Sequence, residues 1–346
     1  MYSKILVPLD GSRPSESILP YARFFAETLK VPVELLHVID PRTLNGFGSS
    51  IIEHARYHDV QAALAPEREK SCEYLKKIAF CLPDSLAVDC TVEVGKPARV
   101  IVDEASAIPG TLIAMATHGH SGVEHWLLGG MADKVLRKAR NDLLLVRTRE
   151  ETNITRTVSL KSVILPLDGS ETAETVLPGV AELAKKMNLE ILLLRAFDLP
   201  MTYRAEGAWS NSEWIRELVK DAAKDDLDKK LQQLKEEGWT RVTPMALEGD
   251  ATGRTIDLAQ KRPESLVAIS AQWESAVTRW LSGGIADDII GHSGRPVLVV
   301  CASMEGGANF ARRFFSGLRK FPLNTNKSND RLAPHSPPVV HFRLER

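Results

Sequence analysis

Along the chain, short apolar runs alternate with stretches in which apolar residues recur every three or four positions. In the first half the runs fall at 5–9, 33–38, 87–94, 112–116 and 143–146. Between them, helical spacing covers a stretch ending near Lys30, one around 61–80, one from about Ala98 and one from about Gly130. Runs apolar on both faces, each followed by an amphipathic helix, predict an α/β fold: a doubly wound, Rossmann-like parallel sheet covered on both sides.

The same order then repeats. Residues 5–20 align without gaps on 163–178 with eight of sixteen positions identical, and 112–146 align on 266–300 with twelve of thirty-five. In the second copy Trp214, Ile215, Leu218, Val219, Ala222, Leu227, Leu231 and Leu234 keep helical spacing up to Gly238. We therefore expect two tandem domains, 1–148 and 161–302, joined by a short polar linker at 149–160.

Each copy ends in an apolar strand, 143–146 and 297–300, whose open edge is costly to expose. The expected solution is an internal dimer about a pseudo-two-fold axis, with a further homodimer left open. Two insertions rich in Gly, Ser and Pro, 41–65 and 199–212, predict surface loops or lids. The tail 303–346 carries eight basic and three acidic residues and no strand or long helical period, which predicts disorder. Within it Phe310, Phe314, Phe315, Leu318 and Phe321 can share one face of a short basic helix.

Composition narrows the function classes. A formal charge of −1 offers no global field for nucleic acid or an anionic membrane. No apolar stretch approaches membrane-spanning length, and the amino terminus does not read as a secretory leader. The four cysteines form no Cys-x-x-Cys pair, so neither a zinc ribbon nor a disulfide framework is expected, and a reducing cytoplasm fits best.

In open α/β sheets ligands bind beyond the carboxyl ends of the strands, where the strand order reverses. Asp10-Gly11-Ser12, the segment His37 to Asp40 and the segment Ala116 to Gly122 leave strands at that end. A glycine-bearing loop that runs from a strand to a helix suits phosphate, because bare backbone N–H groups and a helix start favour anions. Here the loop carries Gly119, then nine residues, then Gly129-Gly130 before a helix opening at Met131. His118, His120 and His125 lie close together, but without Cys partners or a supporting carboxylate pattern they read as loop histidines facing phosphate or solvent rather than metal ligands. His54 and His58, four apart in an insertion, read as solvated. No nucleophile elbow, Walker lysine or paired carboxylates accompany the loop, so an enzyme is not expected.

Val7-Pro8-Leu9-Asp10-Gly11-Ser12, Val94-Gly95-Lys96-Pro97-Ala98, Thr117-His118-Gly119-His120-Ser121-Gly122 and Leu127-Leu128-Gly129-Gly130 together resemble the universal stress protein family in its tandem-domain form, over about residues 3–302. The resemblance implies mainly non-catalytic proteins that bind or lack a nucleotide, dimerise and help cells survive stress. ATP-binding members carry Gly-x-x-Gly, nine residues, then Gly followed by Ser or Thr. Carried onto this chain, those columns hold Ala116, Gly119, Gly129 and Gly130. The adenine-side aspartate falls on Asp10, the second-strand adenine contact on Val38, and Met115 precedes the loop.

The departures predict weakened binding of ATP, ADP or AMP rather than none. Ala116 adds a methyl that is tolerable at negative φ, and Gly130 loses a hydroxyl but keeps its N–H. In the second copy the columns read Ser270, Trp273, Gly283 and Gly284, so an indole stands where Gly119 does, while Asp168 matches Asp10. Asp10 and Asp168 also have a plainer role, holding the Asp-Gly-Ser turn. The leading expectation is a regulatory adenine-nucleotide site in the first domain only. The rivals are a nucleotide-free interaction scaffold and, by fold analogy alone, a slow ATP hydrolase.

Overall fold

Ile5, Leu6 and Val7 are all fully buried, although their side chains alternate between the two faces of a strand. Only a strand covered on both faces buries such a run, and the computed structural model places it at the centre of a sheet. Residues 2–43, 57–117, 130–148, 153–167, 171–198, 212–272, 285–302 and 340–343 are described.

The first half runs β1 (Lys4–Leu9), α1 (Arg13–Glu16), α2 (Leu19–Leu29), β2 (Val33–Ile39), α3 (Tyr57–Phe80), β3 (Val88–Val94), α4 (Pro97–Ala107), β4 (Thr111–Ala116), α5 (Gly130–Leu136) and β5 (Leu143–Val146). The second follows with β6 (Ser162–Leu167), α6 (Glu171–Lys186), β7 (Glu190–Phe197), α7 (Ser212–Glu236), β8 (Val242–Glu248), α8 (Ala251–Lys261), β9 (Ser265–Gln272), α9 (Ile285–His292) and β10 (Val297–Ala302).

Within each half the strands are parallel, in the order β3-β2-β1-β4-β5 and β8-β7-β6-β9-β10. The halves meet where β5 pairs antiparallel with β10, so these ten strands form one sheet. Leu144 pairs with Leu298, Leu145 with Val297 and Leu143 with Val299. The repeat aligns Leu144 itself on Leu298, so equivalent residues face each other across a local two-fold axis. This is the pairing the two apolar last strands predict. Two apolar layers, one on each face of the sheet, continue across the junction: Leu144 and Leu298 share one, Leu143, Leu145, Val297 and Val299 the other.

Several expectations are corrected. The single helix anticipated up to Lys30 is two, because α2 restarts with Pro20 in its first turn, where a missing N–H costs nothing. The insertion expected at 41–65 is helical from Tyr57. The linker is not wholly a solvated tether, since Val158 and Leu160 are buried in the core. The tail, expected to lack any strand, contributes β11 (Val340–Arg343), antiparallel on β3. The phenylalanine cluster of the tail lies outside the described residues.

Candidate functional site

The chain leaves β1 for β2 and β3 on one side, then crosses to β4 on the other, so the order reverses between the carboxyl ends of β1 and β4. Asp10 follows the first of these ends and Ala116 closes the second.

Gly11, at φ 82°, supplies the left-handed step that turns the chain out of β1. Asp10 Oδ1 accepts from the Ser12 amide at 3.0 Å and from the Ser12 hydroxyl at 2.5 Å. Ser12 in turn caps α1 by accepting from the Ser15 amide at 3.3 Å. Asp10 therefore does perform the turn-holding role, and its residue remains solvent-exposed at the mouth of the crevice.

Val38 and Met115 lie on one face of the sheet, in the layer shared with Leu36 and Ile113, beneath α4 and α5. Ala116 is in extended β4 opposite Val146, with no positive φ, which meets the condition under which alanine replaces glycine without backbone strain. Gly130 opens α5 with nothing within 4 Å of where a Cβ would stand, and Met131 beside it is 38 % exposed. Asp10 thus follows β1, Val38 lies near the end of β2, Met115 and Ala116 close β4, and Gly130 and Met131 open α5. His118, Gly119 and Gly129, and in the second half Asp168, Trp273, Gly283 and Gly284, lie outside the described residues, as do His54, His120 and His125.

A polar group that motif reading did not single out sits on the opposite face of β2. His37 meets Tyr74 edge-on at 6.0 Å, and the Tyr74 hydroxyl donates to Glu16 Oε1 at 3.1 Å. The Nδ1 atom of His37 is buried without a hydrogen-bond partner. Burial lowers the pKa of His37, while the Leu9 carbonyl and Asp10 pull the other way. Burial likewise raises Glu16, against the Tyr74 hydrogen bond that lowers it. The signal was a histidine in the last turn of an apolar strand, but only the fold reveals Tyr74 as its neighbour.

The second half is built differently at the same register. His37 pairs with Leu9 in the ladder, and Arg195 pairs with Leu167. Arg195 donates to the Leu167 carbonyl at 3.2 Å and stands 4.0 Å from Asp226. Ser270, in the column of Ala116, is half-buried on β9. Among the described residues no group of three or more His, Cys, Asp or Glu is arranged to hold a metal ion, and no helix is long and apolar enough to cross a membrane.

Comparison with known proteins agrees with this architecture. The family model described as "Universal stress protein family" matches twice, over residues 1–147 and 159–300. A universal stress protein of Methanocaldococcus jannaschii is 28% identical over 142 residues, covering 40% of this chain and 81% of that one. A second from the same organism is 28% identical over 165 residues, covering 43% of this chain and 97% of its own length. The crystal structure of a universal stress protein from Archaeoglobus fulgidus superposes with a TM-score of 0.62, covering 86% of this chain and 98% of that one, at 17% identity, a likeness of fold. With both halves matched and the duplicated sheet in place, this chain belongs to the universal stress protein family.

Proposed function

We propose that the protein is a cytoplasmic stress-response regulator that binds an adenine nucleotide, ATP or its ADP and AMP relatives, weakly and in its first half alone, without turning it over. The observation that carries this reading is the reversal of strand order between the carboxyl ends of β1 and β4, with Asp10 following the first and Met115 and Ala116 closing the second. The described residues fit such a ligand. Half-buried Val38 offers apolar surface to a base, Asp10 offers an exposed acceptor, and Gly130 brings an unobstructed backbone N–H at a helix start to phosphate. The nucleotide supplies no chemistry here; it acts as a signal that the chain reads by holding it.

A second reading, a nucleotide-free scaffold of the same family, is favoured by one observation: the Asp10 carboxylate is already engaged with Ser12. Titration calorimetry with ATP separates the two. The first reading expects one saturable site per chain, and Asp10→Ala is expected to weaken it by about 1–3 kcal/mol, the usual loss on deleting a polar partner. No heat up to millimolar ATP, together with no nucleotide released by acid from the purified protein, would hand the case to the scaffold.

A further inference from the structure

Without β11 the sheet would end in two edges, β3 and β8, and they are defended by different means. In β8, Pro244 interrupts the row of N–H donors, a built-in barrier to strand addition. β3 (VDCTVEV) contains no proline. Its protection is β11, which pairs Val340 with Val92, His341 with Thr91, Phe342 with Cys90 and Arg343 with Asp89.

That cover is short and carries a readable side-chain code. Arg343 grips Asp89 with two hydrogen bonds, 2.6 and 2.8 Å. Phe342 packs on the core with Lys76 Nζ 5.4 Å above its ring. The Thr91 hydroxyl donates to Glu34 Oε1 at 2.6 Å, so Thr91 Oγ1 accepts from His341 Nδ1, 2.9 Å away, which must carry a hydrogen. Lys4 donates to the other oxygen of Glu34 at 2.5 Å, anchoring this chain of hydrogen bonds in the interior. No side chain of β11 is fully buried.

β11 also uses only part of the edge. β3 extends from Val88 to Val94, and the ladder reaches only from Asp89 to Val92. The chain itself limits any extension over Glu93 and Val94, because Pro337 and Pro338 precede Val339 and have no N–H to give. Glu93, next along the edge, is half-buried near Glu104, Glu34 and Asp103, with His341 also acting on it and Lys4 paired to Glu34 and Glu104.

We propose that the β3 edge is a strand-addition site for a partner protein, held by β11 in the resting chain, and that it accepts an extended, proline-free basic segment in antiparallel register. The recognised pattern places a basic residue opposite Glu93, an apolar one opposite Val92, an aromatic opposite Cys90 and arginine opposite Asp89. A tethered strand competes at an effective concentration on the order of millimolar. An incoming segment therefore displaces β11 by what β11 lacks: more ladder bonds and a cation at Glu93.

The test uses the full-length chain and a fluorescent peptide, Val-Lys-Val-His-Phe-Arg-Leu, followed by anisotropy. Saturable binding is expected, tighter by about tenfold in Phe342→Ser, which loosens the competitor in cis. It should be lost in Asp89→Lys and with a peptide carrying proline in place of its second valine, the residue opposite Val92 whose N–H faces the β3 edge. A second peptide with glutamate for lysine should bind about five- to tenfold more weakly. Absence of saturable binding to Phe342→Ser, or binding indifferent to Asp89→Lys, overturns the proposal. Concentration-dependent dimerisation of Phe342→Ser without peptide binding would also overturn it, by naming a second copy as the occupant.

Discussion

The two halves keep the same strands in the same order, but they differ at polar positions near the strand ends. Val163, Ile164 and Leu165 are as deeply buried as Ile5, Leu6 and Val7, and the junction pairs equivalent leucines. At the carboxyl end of the second strand, however, His37 in one half corresponds to Arg195 in the other; at the start of the last strand, Asp142 stands where the repeat has Pro296. Burying one apolar side chain contributes about 1.5–3 kcal/mol in either half, so duplication preserves the layers that hold the sheet. Polar strand ends contribute less to folding, and there the two copies differ in sequence.

The largest expected difference concerns the ligand. Gly119→Trp copies Trp273 into the first half, and an indole fills volume that phosphate oxygens need within about 3 Å of the backbone N–H groups. We expect affinity for ATP to fall by at least about a hundredfold. The reverse change, Trp273→Gly, should not create a strong second site, since Ala276 still occupies the column of Gly122. Calorimetry returning two sites per chain, or tight binding that survives Gly119→Trp, would show the halves to be equivalent after all.

Next comes the junction. Asp142 accepts from the Tyr2 hydroxyl at 2.8 Å and from the Cys301 amide at 2.9 Å, thereby fastening the end of β10 to the start of β5. Burial raises the Asp142 carboxyl above its ordinary range, and it raises the Tyr2 phenol too. Asp142→Ala leaves both donors without their acceptor and is expected to cost about 1–3 kcal/mol, whereas Asp142→Asn, which keeps one acceptor and gains a donor for Tyr2, should cost less. Because the folded pKa is raised, the stability associated with Asp142 is fully present below the ordinary carboxylate pKa and declines as pH rises through the raised value. Melting curves across that range should lose this decline in Asp142→Asn.

A smaller effect separates His37 from Arg195. Burial holds His37 neutral, so its lowered pKa makes stability complete above the ordinary value near 6.5, with loss as pH falls towards the lowered value. One proton gives a slope of at most about 1.4 kcal/mol per pH unit. His37→Phe should flatten the acid limb of denaturant-derived stability, and an unchanged limb would place the titrating group elsewhere.

Much of this was legible in the residues. Apolar runs and their gapless repeat led directly to the doubly wound sheets and the β5–β10 junction, because burial on both faces imposes its pattern on sequence. The placement of Asp10, Val38 and Met115 at or near strand ends was reachable because strand ends are predictable and the reversal point follows from topology. Hidden from it were contacts set by distance in space alone: Tyr74 beside His37 across 37 residues, and Asp142 reaching Cys301 across 159. β11 escaped notice because Val340–Arg343 is only four residues long and follows two prolines, too short for any period.

The smallest effect tests that missed strand and the contrast between the edges. From composition, removal of everything after Ser303 should leave the core unharmed; with β11 in place a slight loss is expected instead, a melting shift of no more than about 2–4 °C. The shift should be small because β11 buries no side chain completely and its Arg343–Asp89 pair is open to solvent. Its location is the sharper measure. Amide hydrogen exchange should quicken along β3, at Asp89 and Thr91 and their neighbours, while β8, guarded by Pro244, keeps its rates. Equal quickening at both edges would mean that truncation loosens the sheet as a whole. A loss of many degrees would assign structural weight to the tail's phenylalanine cluster, and the two edges would then owe their difference to more than one strand.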